Sequence, residues 1–290
     1  MNKKTIIFLA CLSLLTSACD KNKSGNLENN TTTNEAKNIN DISSDYLISN
    51  INDDKSIAFV KNSIEKNLNK KNSEVFIDLV KDYNKEIPDN LLYEGFSKNL
   101  KSNYDLGKII QIRDKVNHKY LDTNCRINTF ILIKDDLSLI EKTNIDDTFL
   151  FMDKSSIENS KLFNEDDYNK FLQLFSRVKT TSSKKINDHA KVMSEFLSNF
   201  NFPKNAEMIS VVIHDNWDDD FLFIGHVGVL LPIDEGYLFL EKISFEEPYQ
   251  AIKFLDKKSC FKYLKNKYKD YTDPEVCPPF IMENDKYVEI

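Results

Sequence analysis

Hydrophobic residues recur every three or four positions through much of the chain up to about residue 200, which is the period of an amphipathic helix. Ile57, Val60, Ile64 and Leu68 form the first such run. The pattern predicts helices over 57–68, 73–83, 88–100, 165–178 and 188–200. Residues 108–121 are mixed in character and receive no firm assignment. This part of the chain is therefore predicted to be mainly helical.

The period changes after residue 200, where short β-rich runs are bounded by turn residues. They predict strands over 208–213, 221–231 and 237–245. Residues 232–236 form a predicted hairpin loop between the last two strands. A helix starting at Pro248, another near 257–268 and a short end piece after Pro278-Pro279 complete the prediction. Helices followed by an antiparallel sheet predict the α+β class.

The N-terminus has the pattern of a signal peptide. Lys3 and Lys4 precede an apolar run over 5–15 that is too short to span a bilayer as a helix. The following Leu15-Thr16-Ser17-Ala18-Cys19 resembles the lipobox of bacterial lipoproteins. The resemblance implies a signal peptide over 1–18 and a lipid on Cys19; the alternative is ordinary secretion with cleavage after Ala18.

Residues 19–50 are mostly polar and bury too little apolar surface to fold, so we predict a flexible tether. Residues 51–290 are then one α+β domain, held by its lipid in the cell envelope, on the outer side of the cytoplasmic membrane or in the periplasm. The formal net charge of −7 argues against nucleic acid as a partner. We expect no cofactor and no metal, and we interpret the acidic loop over 215–220 as solvated.

The cysteine count separates one thiol from the others. If lipid occupies Cys19, the exported chain keeps Cys125, Cys260 and Cys277. Cys260 and Cys277 are a candidate disulfide, which leaves Cys125. Polar capping residues precede Cys125, so it falls in the first turn of a predicted helix, where unpaired N–H groups favour a thiolate. The alternative is a buried cysteine that acts as a small hydrophobe.

His226 is the candidate base for such a thiol. His118 and His189 are expected at the surface, whereas His226 opens an apolar strand beside Gly225 and Gly228. The chain has only 6 glycines, so this concentration suggests close approach to the backbone. The alternative is a glycine bulge with a polar histidine at a sheet edge.

Glu241 is the candidate group that orients the imidazole, because it interrupts the apolar strand that follows the hairpin. A four-residue loop over 232–235 would place His226 directly opposite Glu241. A two-residue loop at 235–236 would shift the register by four and separate them.

A cysteine at a helix start, a histidine at a strand start and a polar residue on the next strand resemble papain-like enzymes of the NlpC/P60 type. The segment Gly225-His226-Val227-Gly228-Val229 is similar to the histidine strand of that family. The resemblance implies that Cys125 is the nucleophile, His226 the base and Glu241 the orienting residue. It also implies an amidase or peptidase acting on cell-wall peptide.

A second resemblance covers most of the exported chain. It rests on the segments 122–126, 225–230, 239–251 and 279–285, which resemble an uncharacterised family of bacterial lipoproteins, the domain of unknown function 4300. This resemblance implies the extent of the fold and its location. Two hypotheses follow: a cysteine hydrolase of the cell envelope, or a binding lipoprotein for a peptide, a wall fragment or another envelope protein.

Overall fold

The computed structural model describes residues 46–98 and 104–290. The predicted signal peptide over 1–18, the lipid-bearing Cys19 and the predicted tether up to residue 45 lie outside the described residues. No helix in the described part of the chain is long and apolar enough to cross a membrane.

The described chain combines helices with antiparallel strands, as the α+β prediction required. In chain order the elements are β1 Tyr46–Ser49, α1 Asp54–Asn67, α2 Lys70–Asn84, β2 Ser97–Lys98, α3 Leu106–Arg113, α4 Cys125–Ile133, β3 Ser138–Leu139, α5 Phe151–Ser160, α6 Glu165–Phe175, β4 Val178–Lys179, α7 Ile186–Leu197, β5 Phe200–Asn201, β6 Glu207–Asp215, β7 Phe221–Ile233, β8 Gly236–Lys242, β9 Tyr249–Phe254, α8 Lys257–Tyr268, β10 Phe280–Glu283 and β11 Lys286–Val288.

Most of the predicted helices are present, and the exceptions have local causes. The described part of the run predicted over 88–100, which ends at Lys98, forms a 3₁₀ turn at Asp89–Leu91 and then β2 in place of a helix. Gly95, with φ of +60°, takes the chain out of the helical region in that run. The predicted helix from Pro248 is instead strand β9, whose residues alternate between the two faces of the sheet.

One large sheet organises the described residues. Its strands follow the order β11-β10-β6-β7-β8-β9-β1-β2, with β4 paired to the start of β7. Every pair in it is antiparallel. Strands β3 and β5 form a separate small pair. The sheet is therefore larger than predicted, and β7 lies near its middle.

The core lies on both faces of this sheet. One face supports the main hydrophobic cluster, which includes side chains from α1 to α7. The other face is covered by α8 through Phe261, Leu264 and Tyr268. Because both faces are covered, β7 and β8 are almost continuously apolar, and a buried polar residue on them requires a specific partner.

Strand β1 extends the folded region toward the N-terminus. It pairs with β9 on one side and β2 on the other, and its Ile48 is only 2% exposed. The polar character of residues 19–50 predicted a tether up to residue 50. The described fold instead includes residues from Tyr46 onward, because Tyr46, Leu47 and Ile48 form a strand between β9 and β2.

Candidate active site

Cys125 is the first residue of α4. The side chain of Asn124 caps that helix, with its Oδ1 accepting from the Ile127 N–H at 3.0 Å. Cys125 is 4% exposed. The thiol therefore lies at the positive end of a short helix, in a largely desolvated position.

His226 lies on β7 immediately after a β-bulge. Val211 pairs with His226 while the next residue of β6, Val212, pairs with Ile224, so Gly225 is the extra residue of β7. His226 is 1% exposed and lies on a strand with partners on both sides, not at an edge. The bulge is thus present, as the alternative interpretation proposed, but the histidine is buried.

The β7–β8 hairpin has a register that differs from both predicted alternatives. Ile233 pairs with Gly236, so the turn consists of Asp234 and Glu235. The paired ladder ends at Val229 and Leu240. In this register His226 and Glu241 are diagonal neighbours on one face of the sheet, not direct partners, and diagonal pairs remain within reach of long side chains.

Glu241 and His226 are in direct contact. His226 Nε2 donates to Glu241 Oε2 at 2.6 Å. The other carboxylate oxygen, Oε1, accepts from Tyr263 Oη at 2.7 Å and from Lys267 Nζ at 3.1 Å. Glu241 is fully buried, so these donors replace the water that its charge has lost. The carboxylate is fixed in place and in turn fixes the imidazole.

The other edge of the imidazole faces the thiol. His226 Nδ1 is buried and makes no hydrogen bond of ordinary geometry to the described residues. The Cys125 side chain interacts with His226, and Nε2 is already bonded to Glu241, so Nδ1 is the nitrogen available to sulfur. The ring of Tyr268 stacks on the imidazole, with ring centroids 5.0 Å apart.

These contacts shift three pKa values in a consistent direction. Burial raises the pKa of the Cys125 thiol, but the neighbouring His226 imidazole lowers it by more, so that pKa lies below its usual value. Burial opposes the charge on His226, yet the neighbouring Cys125 thiol and the bond to Glu241 raise its pKa to about 9. Burial also opposes ionisation of Glu241, while the charge of Lys267 and the His226 bond lower its pKa to about 2. The arrangement favours thiolate, imidazolium and carboxylate together.

The predicted disulfide between Cys260 and Cys277 is absent, and both residues are free thiols. Cys260 packs in the cluster beneath α8, whereas Cys277 packs in the main cluster on the other side of the sheet. Burial raises both thiol pKa values, that of Cys277 to about 11. Cys125 therefore differs from both by the imidazole beside it, which lowers its pKa.

The remaining histidines lie outside this site. His189 is fully buried, contrary to the expected surface position, and its ring packs against that of His214 with centroids 4.4 Å apart. The carboxylates of the acidic loop beyond His214 have side-chain partners: Asp218 accepts from Arg177, Asp219 pairs with Lys179, and Asp220 accepts from His214. These contacts account for three of the carboxylates in the loop.

Three residues of the site were not predicted from the sequence, and all of them come from α8. Tyr263 and Lys267 hold Glu241, and Tyr268 stacks on His226. Tyr263 and Lys267 are separated by four residues, so they share one face of a helix. That spacing was visible, but nothing in the sequence indicated that this helix covers the strands of His226 and Glu241.

Comparison with known proteins gives a family but no characterised relative. No curated protein and no solved structure matches the chain. A family model described as a domain of unknown function, DUF4300, matches residues 47–288, which include Cys125, His226 and Glu241 and all of the large sheet except Tyr46 at the start of β1. Because the match extends over most of the chain, this protein belongs to the DUF4300 family.

Proposed function

We propose that the chain is a cysteine hydrolase that cleaves an amide bond, with Cys125 as nucleophile, His226 as base and Glu241 as orienting residue. The observation that carries the proposal is the contact between His226 and Glu241, combined with a thiol at a helix start beside the imidazole. Nucleophile, base and orienting group in this order are the components of a papain-like site.

The chemistry follows from the geometry. The Cys125 proton passes to His226 Nδ1, and the sulfur forms a bond to the carbonyl carbon of the substrate. His226 then delivers the proton to the leaving nitrogen as the C–N bond breaks, which leaves a thioester on Cys125. Water, activated by His226, hydrolyses the thioester and restores the thiol. Glu241 holds the imidazole in one orientation throughout.

The first turn of α4 supplies electrostatic support. The first N–H groups of a helix have no partner within the helix, and the N–H of Cys125 is one of them. A carbonyl oxygen that gains negative charge next to the sulfur lies close to this end of the helix. The same helix start therefore favours both the thiolate and the oxyanion.

We propose cell-wall peptide as the substrate and the cell envelope as the location. The N-terminal residues that resemble a signal peptide and lipobox, ending at Cys19, support export and lipid attachment. A lipid on Cys19 would anchor the domain to a membrane and hold it within reach of the wall. The papain-like resemblance around His226 supports a peptide amide as the bond cleaved.

The test is digestion of purified cell-wall peptides by the full-length protein, followed by mass spectrometry. Wild type is expected to release fragments with a new amino group and a new carboxyl group. Cys125→Ala abolishes the release, whereas the matched variant Cys277→Ala keeps it. If wild type and Cys125→Ala give identical digests over a broad panel of wall peptides, the substrate proposal is wrong.

The second candidate is a binding protein without chemistry, and one observation favours it. Cys125 is 4% exposed and His226 is 1% exposed, so a substrate carbonyl must displace protein atoms to reach the sulfur. In that case wall peptides bind to wild type and to Cys125→Ala with equal affinity, and neither protein cleaves them. Isothermal titration on the two proteins, together with the digest, separates binding from hydrolysis.

A further inference from the structure

Arg126 follows Cys125 in α4, and its side chain extends from that helix to β7. Its Nε donates to Asp153 Oδ1 at 3.0 Å, and its Nη2 donates to Asp153 Oδ2 at 2.7 Å. Its third nitrogen, Nη1, donates to the backbone oxygen of Ile224 at 3.2 Å. One planar guanidinium therefore joins the helix of the thiol to the strand of the imidazole.

Asp153 holds both neighbours of Cys125. It lies on α5 and is fully buried. Besides the guanidinium of Arg126, its Oδ1 accepts from Asn124 Nδ2 at 2.8 Å. The residues before and after the thiol are thus bonded to the same carboxylate, which limits how far the first turn of α4 can move.

The contact between Arg126 and Ile224 acts on the His226 side of the site. Ile224 is the last residue of β7 before the bulge at Gly225, and His226 follows. A bulge changes the direction of the side chains next to it, so the orientation of the imidazole depends on how the bulge is held. Arg126 holds the backbone oxygen that enters it.

Stability alone is a weak reason for burying the ion pair between Arg126 and Asp153. The Arg126 side chain is 15% exposed and that of Asp153 is not exposed at all. Replacing a buried ion pair by apolar residues often leaves stability unchanged or raises it, and the best-documented use of such pairs is to fix register. The fork between Arg126 and Asp153 joins α4 to α5, and it leaves Nη1 of the same guanidinium to hold α4 against β7 at Ile224.

We propose that Arg126 and Asp153 are positioning residues that set the separation between the Cys125 thiol and the His226 imidazole. This role rests on the proposed function, because it matters only if the thiol and the imidazole exchange a proton. The two residues act through Cys125 and His226 and not on the substrate.

The test compares two arginine variants of the full-length protein. Arg126→Lys keeps the charge but removes the fork. Arg177→Lys is the matched control, because Arg177 forms a similar forked pair with Asp218, at 2.9 Å from Nη1 and from Nη2, away from Cys125. Iodoacetamide labelling of Cys125 is followed from pH 5 to pH 9 by peptide mass mapping, alongside the urea unfolding midpoint.

We expect Arg126→Lys to slow labelling at pH 6 by about ten- to a hundredfold and to move the labelling midpoint to higher pH, because small misplacements of reacting groups have effects of that size. Arg177→Lys is expected to match wild type. If Arg126→Lys matches wild type as well, the positioning role is wrong and the proposed function stands. If wild type itself shows no fast labelling at pH 6, the proposed function fails.

A folding defect has a defined outcome too. Should Arg126→Lys lose cooperative unfolding, Asp153→Asn takes its place, since asparagine keeps an acceptor for Nε at nearly the same volume. Slow labelling in a folded Asp153→Asn supports the positioning role. If both variants unfold while Arg177→Lys remains folded, the pair serves the fold, and the positioning role is overturned.

Discussion

Glu241 keeps its negative charge in a position without solvent because each of its oxygens has a donor. His226 bonds to one oxygen, and Tyr263 and Lys267 bond to the other. A carboxylate buried without such partners would take up a proton. His226 therefore faces a fixed negative charge, which favours the protonated imidazole and through it a lower pKa for the Cys125 thiol.

This charge is testable with Glu241→Gln. The amide keeps the size of the side chain but removes its attraction for the imidazolium, so the pKa of His226 falls and that of Cys125 rises, by about one pH unit or more. The measurement is the pH midpoint of Cys125 labelling. Glu283→Gln, which alters a carboxylate bonded to Lys257, is the control and leaves the midpoint unchanged.

An unchanged labelling midpoint in Glu241→Gln would mean that the Glu241 carboxylate has no influence on the ionisation of Cys125. A midpoint that moves to lower pH would contradict the sign of the electrostatics. Either result removes Glu241 from the proposed site and leaves Cys125 and His226 without a third member.

Single residues differ in how far the sequence could identify them. His226 and Glu241 stand out because each interrupts an apolar strand, and such an interruption requires a buried partner. His189 gave no such signal. It lies in the first turn of a helix, where polar residues are common. Its ring is held by Thr180 and Ser183, which follow β4, and by the His214 ring that packs against it.

At the scale of elements, the packing of β7 against β8 depends on the absence of a side chain at Gly228. A Cβ at Gly228 would lie 2.7 Å from the backbone oxygen of Leu240 and 2.4 Å from Phe239 Cζ. Gly107, on α3, has open space, since its nearest neighbour would be Asp105 Oδ1 at 3.9 Å. The two glycines form a matched pair for testing this packing.

Gly228→Ala is expected to destabilise the protein by about 1–3 kcal/mol, because the backbone of β8 has to move. Gly107→Ala is expected to be neutral or to stabilise by up to about 1 kcal/mol. Urea unfolding of both variants measures the difference. Equal stabilities for the two would show that β7 and β8 do not approach as closely as described.

His214 links the end of β6 to the segment before β10. Its Nδ1 accepts from the Cys277 N–H at 3.0 Å, and its Nε2 donates to Asp220 at 3.0 Å. Burial lowers the pKa of His214 and the neighbouring His189 lowers it further, while Asp220 opposes both. The neutral ring is therefore the folded form, and a proton on Nδ1 would conflict with the Cys277 N–H.

The sign of the pH effect follows from the lowered pKa. The contribution of His214 to stability is complete above its usual pKa of about 6.5 and is lost as the pH falls toward its lower folded value, by up to about 1.4 kcal/mol per pH unit. His214→Asn, which keeps an acceptor near Nδ1, is expected to flatten this loss in urea unfolding between pH 7 and pH 5. His118→Asn, which leaves His214 and His189 in place, is expected to keep the loss of stability. If wild type and His214→Asn lose stability equally between pH 7 and pH 5, His214 is not its source.

Elements were predictable where one period dominated. The caps and spacing of α1, α2 and α4 are local properties, so the sequence alone indicated them. The prediction of a helix from Pro248 was wrong, because β9 carries Gln250 and Lys253 among its apolar residues and shows no clean alternation. Only pairing with β8 and β1 identifies this run as a strand. Hairpin register likewise depended on a turn length that the sequence left open.

At the scale of the whole molecule, the large sheet joins distant parts of the chain. Strand β1, at the start of the described residues, pairs with β9, more than two hundred positions later. Asn50, just after β1, donates to Tyr104 and to the Tyr249 carbonyl, both at 2.8 Å. The last residues of the segment predicted as a tether, from Tyr46 onward, therefore belong to the sheet.

A truncated chain tests the contribution of β1 to the sheet. A variant beginning at residue 51 is expected to lose about 2–3 kcal/mol from Ile48 alone and to expose the edge of β9, which favours aggregation. A variant beginning at residue 44 is expected to unfold at the same urea concentration as the full chain. Equal midpoints for the two variants would mean that β1 contributes nothing to the fold.

The α+β class and the candidate triad followed from the sequence because they depend on local period and on isolated polar residues. The nearness of Cys125 to His226 did not, since it depends on how α4 meets β7 across about a hundred residues. The helix that covers the site, α8, was itself predicted, but its face of contact is set by the sheet order, which no local pattern encodes.

The rate of Cys125 labelling by iodoacetamide at pH 6 tests the central claim most directly. The protein carries its own controls, because burial raises the thiol pKa of Cys260 and of Cys277. We predict that the Cys125 peptide is labelled at least about tenfold faster than either control peptide, as a pKa difference of one unit or more requires. Labelling of Cys125 that matches the controls at pH 6 and rises only above pH 8 would contradict a thiolate held by His226.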